Sequence, residues 1–154
     1  MARPPSLADP GLAEELVARL EKLREKRPRA WGKMTAHEML CHLADSFEGV
    51  MGERPISPAA DTWMNRTVIK YIALHTTLAW PKGTPTRPEV DQTKGGTKPT
   101  DFERDRDKVI ALLRRFTASD ARYDRHPIFG PLTREEWLVW GYRHTDHHLR
   151  QFAL

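Results

Sequence analysis

Apolar residues recur at helical spacing in five stretches of the chain. Leu12, Leu16, Leu20 and Leu23 form a stripe in a segment from about Pro10 to Lys26. Asp9 is placed to cap it, with Pro10 at the first helical position. A second stretch opens at "TAHE", where Thr35 and Glu38 have the spacing of a capping box. Met39, Leu40, Leu43, Phe47, Val50 and Met51 follow with a helical period, and "GERP" ends it. The third stretch, "DTWMNRTVIKYIALHTTLAW", is rich in β-branched residues and would also suit a strand. Its length and the Met64, Val68, Ile72, His75 spacing favour a helix, stopped by Pro81. On that apolar face His75 reads as a satisfied core histidine. The fourth helix covers roughly Asp101 to Phe116, with Phe102, Val109, Ile110 and Leu113 inward. The fifth opens with "TREE", a capping box from Thr133 to Glu136, and runs to the last residues.

Between the third and fourth helices lies "PKGTPTRPEVDQTKGGTKPT", residues 81–100. A structureless loop of this length is unusual in a compact domain, and it reads either as a lid or binding loop or as a plain connector. With no alternating pattern elsewhere, the expected fold is a single all-α bundle over residues 1–154.

Composition narrows the class. The chain is 39% apolar and 30% charged, a balance that suits a globular fold rather than a disordered tail. Lys and Arg outnumber Asp and Glu by 25 to 21. The excess is small and interspersed with acids, so a solvated surface is expected rather than a nucleic-acid stripe. No apolar run reaches the length of a membrane span, and "MARPPSLADPG" has no apolar signal core, so a cytoplasmic protein without membrane partner is expected. The single cysteine, Cys41, forms no internal disulfide and reads as packing, not as a nucleophile. A Ser/His/Asp elbow, a P-loop and a GxGxxG fingerprint are all absent.

The candidate chemistry lies in "WGYRHTDHHLRQF", residues 140–152, which holds three of the seven histidines. At roughly 100° per residue, Trp137, Gly141, His144 and His148 share one face, His147 falls at its edge and Asp146 points to solvent. Two imidazoles at i and i+4 can grip one ion. On the second helix His42 flanks the apolar stripe beside Ser46, Gly49 and Asp45, facing a roomy, polar-edged space; on pattern alone it reads as an ordinary surface-edge histidine, but a bundle can bring such a side chain to a pair on another helix. Three neutral imidazoles suit Zn²⁺, Ni²⁺ or Fe²⁺ and leave coordination open. Asp45 and Glu48 are candidates to orient the His42 ring. His126, in "RHPIFG", reads either as a pocket residue or as a loop histidine bound to backbone. His37 is expected to be exposed.

The blocks "GKMTAHEMLCHLADSFEGVMGE" and "HPIFGPLTREEWLVWGYRHTDHHLRQF" resemble the DinB-like (YfiT-like) superfamily of metal-dependent proteins. The resemblance implies a four-helix bundle, here with one extra helix and a long loop. It implies a metal site of His42, His144 and His148, with His147 spare. It further implies an enzyme on a small-molecule substrate in which the metal activates a low-molecular-weight thiol for transfer, or water for hydrolysis. The other class in view is a non-catalytic, stress-related metal- or ligand-binding bundle. A homodimer is an expected partner state, and nucleic acid is not.

Overall fold

The computed structural model describes residues 2–154. Five α-helices form: α1 (Leu12–Lys22), α2 (Ala36–Val50), α3 (Lys70–His75), α4 (Phe102–Thr117) and α5 (Arg134–Arg150). No strand forms among the described residues; an isolated bridge pairs His126 with Gly130. None of the described helices is long and apolar enough to cross a membrane.

Both capping boxes fold as the sequence predicts. The Thr35 hydroxyl accepts from the Glu38 amide at 3.1 Å, and Glu38 accepts from the Thr35 amide at 2.8 Å. Thr133 and Glu136 repeat the exchange at 3.2 and 2.9 Å. The two helices that carry the histidines therefore start at fixed points. The first helix is shorter than expected. Gly11, at φ 79°, stands at its N-cap without a side-chain cap, because Asp9 is engaged by the Ser6 amide and by Arg3. The left-handed conformation at Gly11 is one that glycine adopts without strain.

α2 packs on α4, α1 packs on α4 and α5, and α3 lies on α5. Leu16, Leu20, Met39, Leu43, Phe47, Leu113 and Trp137 are fully buried between them. Gly141 permits α5 to approach: a Cβ there would stand 2.7 Å from Leu7 Cδ1 and 2.8 Å from Phe116 Cε1.

The third segment is helical, not extended, beginning as one π-helical turn over Asn65–Ile69 and continuing as α3. Its apolar face, however, points outward. Met64, Val68 and Ile72 are exposed, and Ala73 and Leu74 are the residues that pack inward. His75 is accordingly no core histidine: it is exposed, its Nε2 pairs with Glu136 at 2.8 Å, and its ring stacks on Tyr71.

Residues 81–100 are not a slack connector. A 3-10 turn, Pro88–Val90, lies on α2. The wholly buried Asp45 carboxylate accepts from the Thr97 amide (2.8 Å), the Thr97 hydroxyl (2.6 Å) and Gln92 Nε2 (2.9 Å), and pairs with Arg54 at 3.2 Å. One carboxylate thus stitches the loop to α2.

Candidate metal centre

His42 from α2 meets His144 and His148 from α5. His144 Nε2 lies 3.3 Å from His42 Nε2 and 3.2 Å from His148 Nε2. The three donor atoms fall within 4.8 Å of one another. The space around His42 is not roomy. Asp45 and Ser46 are buried beside it, and Gly49 is so close to Ile56 that a Cβ would stand 2.1 Å from its Cδ1.

Hydrogen bonds at the far side of two rings set which nitrogen carries the proton. His42 Nδ1–H donates to the Val90 carbonyl at 2.9 Å, and His148 Nδ1–H donates to Gln151 Oε1 at 2.6 Å. Both Nε2 atoms therefore present lone pairs to the cluster. His144 differs: its Nδ1 is buried and has no hydrogen-bond partner among the described residues. Its ring is held instead by stacking on Trp140, with centroids 4.9 Å apart and planes at 17°. Burial lowers the pKa of all three imidazoles, and the neighbouring histidines push His144 and His148 further down. The cluster is neutral near pH 7, the protonation state that offers lone pairs.

The residues that orient His42 are not those the sequence suggests. Asp45 is spent on the loop, and Glu48 pairs with Lys108 at 2.7 Å. The partner is a backbone carbonyl 48 residues away, a type of contact with no side-chain signature. Gln151 stands three residues after His148, on the turn that follows α5, and that spacing is legible in "HHLRQF".

His147 lies outside the cluster. It is edge-on to Trp31 at 4.9 Å and tilted against Trp80 at 6.0 Å, and these two tryptophans wall the outer side of the histidines. Arg143 holds that wall: its Nη1 donates to the Ala73 and Thr76 carbonyls at 2.6 Å each, Nη2 donates to Leu78, and the guanidinium lies 5.5 Å from the Trp80 ring. Asp146 does not face open solvent; it pairs with Arg19 and Arg150, each at 2.8 Å.

His126 is bound to backbone. Its Nδ1 accepts from the Ile128 and Phe129 amides at 3.1 and 3.0 Å, and burial pushes its pKa down to about 3. Trp140 stands next to both His126 and His144, at 5.5 and 4.9 Å. His37 is buried, contrary to expectation. Its Nε2 donates to Asp105 at 2.7 Å, linking α2 to α4. Cys41 also points at Asp105, 3.7 Å away, and burial together with the Asp105 and Asp45 charges pushes its thiol up to about 12. It stays protonated and carries no nucleophile near neutral pH.

A family model described as "Protein of unknown function (DUF1569)" matches residues 1–154. No curated protein and no solved structure matches the chain.

Proposed function

The chain belongs to the DUF1569 family, and we propose that this member is a metal-dependent enzyme of the DinB-like, four-helix-bundle kind acting on a small molecule. The observation that carries the reading is the convergence of three neutral Nε2 atoms at 3.2 and 3.3 Å, two of them with lone pairs fixed inward. Without a cation, three such nitrogens share at most one proton between them, and a buried Nδ1 is left unpaired. Ligand atoms on a tetrahedral ion with bonds of about 2.0–2.1 Å stand about 3.3 Å apart, so the spacing fits Zn²⁺, and the donor set also suits Ni²⁺ or Fe²⁺.

His42, His144 and His148 would hold the ion, which supplies Lewis acidity to water or to a low-molecular-weight thiol. The chain's other residues prepare the place. Val90 and Gln151 fix two ring orientations, Trp140 fixes the third, and Trp31 with Trp80 restrict water. No general acid or base stands among them: His126 is spent on backbone amides and Cys41 on Asp105.

A second reading, a non-catalytic metal-binding bundle, is favoured by burial: His42 and His148 are buried, and Trp31 and Trp80 pack against the outer side of the histidines. Screening the zinc-, nickel- and iron-loaded protein against glutathione, bacillithiol and mycothiol with electrophilic acceptors, and against ester and amide substrates, separates the two. Turnover abolished in His144→Ala supports the enzyme. Tight metal binding without turnover in any arm supports the second reading.

A further inference from the structure

We propose that the outward face of residues 63–78, with the cations at its edge, docks on an anionic lipid bilayer surface. Residues 63–75 wind as one helical stretch, the π-helical turn running directly into α3. Trp63, Met64, Val68, Tyr71, Ile72 and Leu78 stand on this segment between 41% and 71% exposed. From aromatic side chains of roughly 150–250 Å² and somewhat smaller aliphatic ones, these fractions amount to on the order of 700 Å² of apolar surface. That exceeds the usual largest patch of a monomer, about 300–600 Å². The exposed Trp63 and Tyr71 suit the headgroup level of a bilayer, which takes an apolar ring with a polar tip.

The charges select an anionic lipid surface over other occupants. Residues 62–88 contain Arg66, Lys70, Lys82 and Arg87 and no Asp or Glu. Carboxylates from elsewhere in the chain offset only part of that charge. Asp61 is shared by Arg66, at 3.0 Å, and Arg125, at 2.6 Å, so two guanidiniums meet one anion. Lys70 pairs with Glu136 at 3.2 Å and Arg87 with Glu89 at 3.6 Å. Lys82 has no carboxylate partner among the described residues; its Nζ lies 5.2 Å from the centre of the Trp31 ring. Arg29 and Lys33, two positions to either side of Trp31, are exposed and likewise unpaired among the described residues. A second copy meeting this face about a two-fold axis would present the same acid-free segment to it. A nucleic acid would supply phosphates but leave Met64, Val68, Ile72 and Leu78 in water. An anionic bilayer supplies both, with charged headgroups for the cations and the acyl boundary about 5–10 Å deeper for the apolar side chains.

The apolar face and its cationic edge are joined. Trp80 Nε1 donates to the Ala73 carbonyl at 3.1 Å, Trp80 and Trp31 both pack on His147, and Lys82 follows Trp80 by two residues. Ala73 and Leu74 pack inward beneath the face and anchor it. No described helix is long and apolar enough to cross a bilayer, and a helix lying along the surface does not need to be. The sequence expectation of no membrane partner considers spans and signal peptides only. The inference stands on this surface alone and not on the chemistry of the histidines.

Co-sedimentation of the full chain with phosphatidylcholine vesicles, and with vesicles of equimolar phosphatidylcholine and phosphatidylglycerol, tests it. Binding to the anionic vesicles is expected to be at least about 10-fold tighter than to phosphatidylcholine alone, and to weaken as salt rises. Lys82→Gln removes one unpaired cation and is expected to weaken binding about 5-fold. The double variant Ile72→Glu/Leu78→Glu changes exposed side chains only, and is expected to weaken binding at least about 10-fold with an unchanged circular dichroism spectrum. Hydrogen exchange of residues 63–78 in the unmodified protein, slowing when anionic vesicles are added, reads the same contact without any variant. No binding to the anionic vesicles at low salt overturns the proposal. So does equal binding to both vesicle types, or a folded double variant that binds undiminished. Protection of residues 63–78 by self-association or by an oligonucleotide, but not by vesicles, also overturns it.

Discussion

Replacing Asp45 with Asn isolates the loop's role in holding the site. All the groups around this carboxylate are donors: the Thr97 amide and hydroxyl, Gln92 Nε2 and Arg54 Nη1. An asparagine of the same shape puts an NH₂ where an acceptor is required, and it leaves Arg54 without its counter-ion. Hydrogen bonds to a charged group contribute about 1.5–3 kcal/mol each, and breaking a buried ion pair costs about 3–5 kcal/mol. Arg54 is partly exposed and the contacts are not additive, so the expected loss is about 2–4 kcal/mol in urea unfolding. The loss is directional as well. Residues 88–97 should gain amide exchange, and the Val90 carbonyl should release His42 Nδ1–H. Loss of a partner that orients a metal-binding ring lowers affinity about 10–100-fold. A folded Asp45→Asn protein with an unchanged urea midpoint, a protected Thr97 amide and undiminished zinc affinity would refute the reasoning.

Three further outcomes are expected. His126 is neutral in the fold, with a pKa of about 3 against about 6.5 unfolded, so unfolding takes up a proton between these values and stability falls as pH drops through that window. From pH 7 to pH 4 His126 alone should remove about 3 kcal/mol; a His126→Asn variant, which keeps an acceptor for the two amides, should lose correspondingly less, and parallel pH curves would contradict this. With its thiol pushed up to about 12, Cys41 should react with Ellman's reagent at pH 8 only on unfolding, and labelling at the rate of a free thiol would show the site to be open. Gly141→Ala should cost about 1–3 kcal/mol by forcing its new methyl against Leu7 and Phe116, read as a lower Tm; an unchanged Tm would mean α5 sits farther from Leu7 and from α4 than described.

The helices were legible where local signals act alone. Thr35/Glu38 and Thr133/Glu136 cap helices because the exchange needs only residues three apart. The i,i+4 placement of His144 and His148 follows from helical geometry, and His42 joins them through the packing of distant segments. Burial was less legible. The periodic face of residues 64–75 reads as core because periodicity reports that a face is apolar, not what covers it. His37 and His75 exchange their expected environments because Asp105 and Glu136, 68 and 61 residues later, decide which ring is packed and which is paired in the open. The Val90 carbonyl behind His42 could not be read at all, since every residue carries one. Asp45 carried no such signal either: its flank, with Ser46 and Gly49, reads as polar-edged, and the Gln92 and Thr97 groups that bind it lie 47 and 52 residues later.

A cobalt(II) titration followed by visible absorbance tests the central claim most directly. One equivalent should bind with the intense d–d bands of a tetrahedral nitrogen site and no sulfur charge-transfer band, and His42→Ala or His148→Ala should weaken binding at least about 100-fold while the fold persists. Absence of binding, equal affinity in both folded variants, or a thiolate band placing the ion at His37, Cys41 and Asp105 would contradict the account.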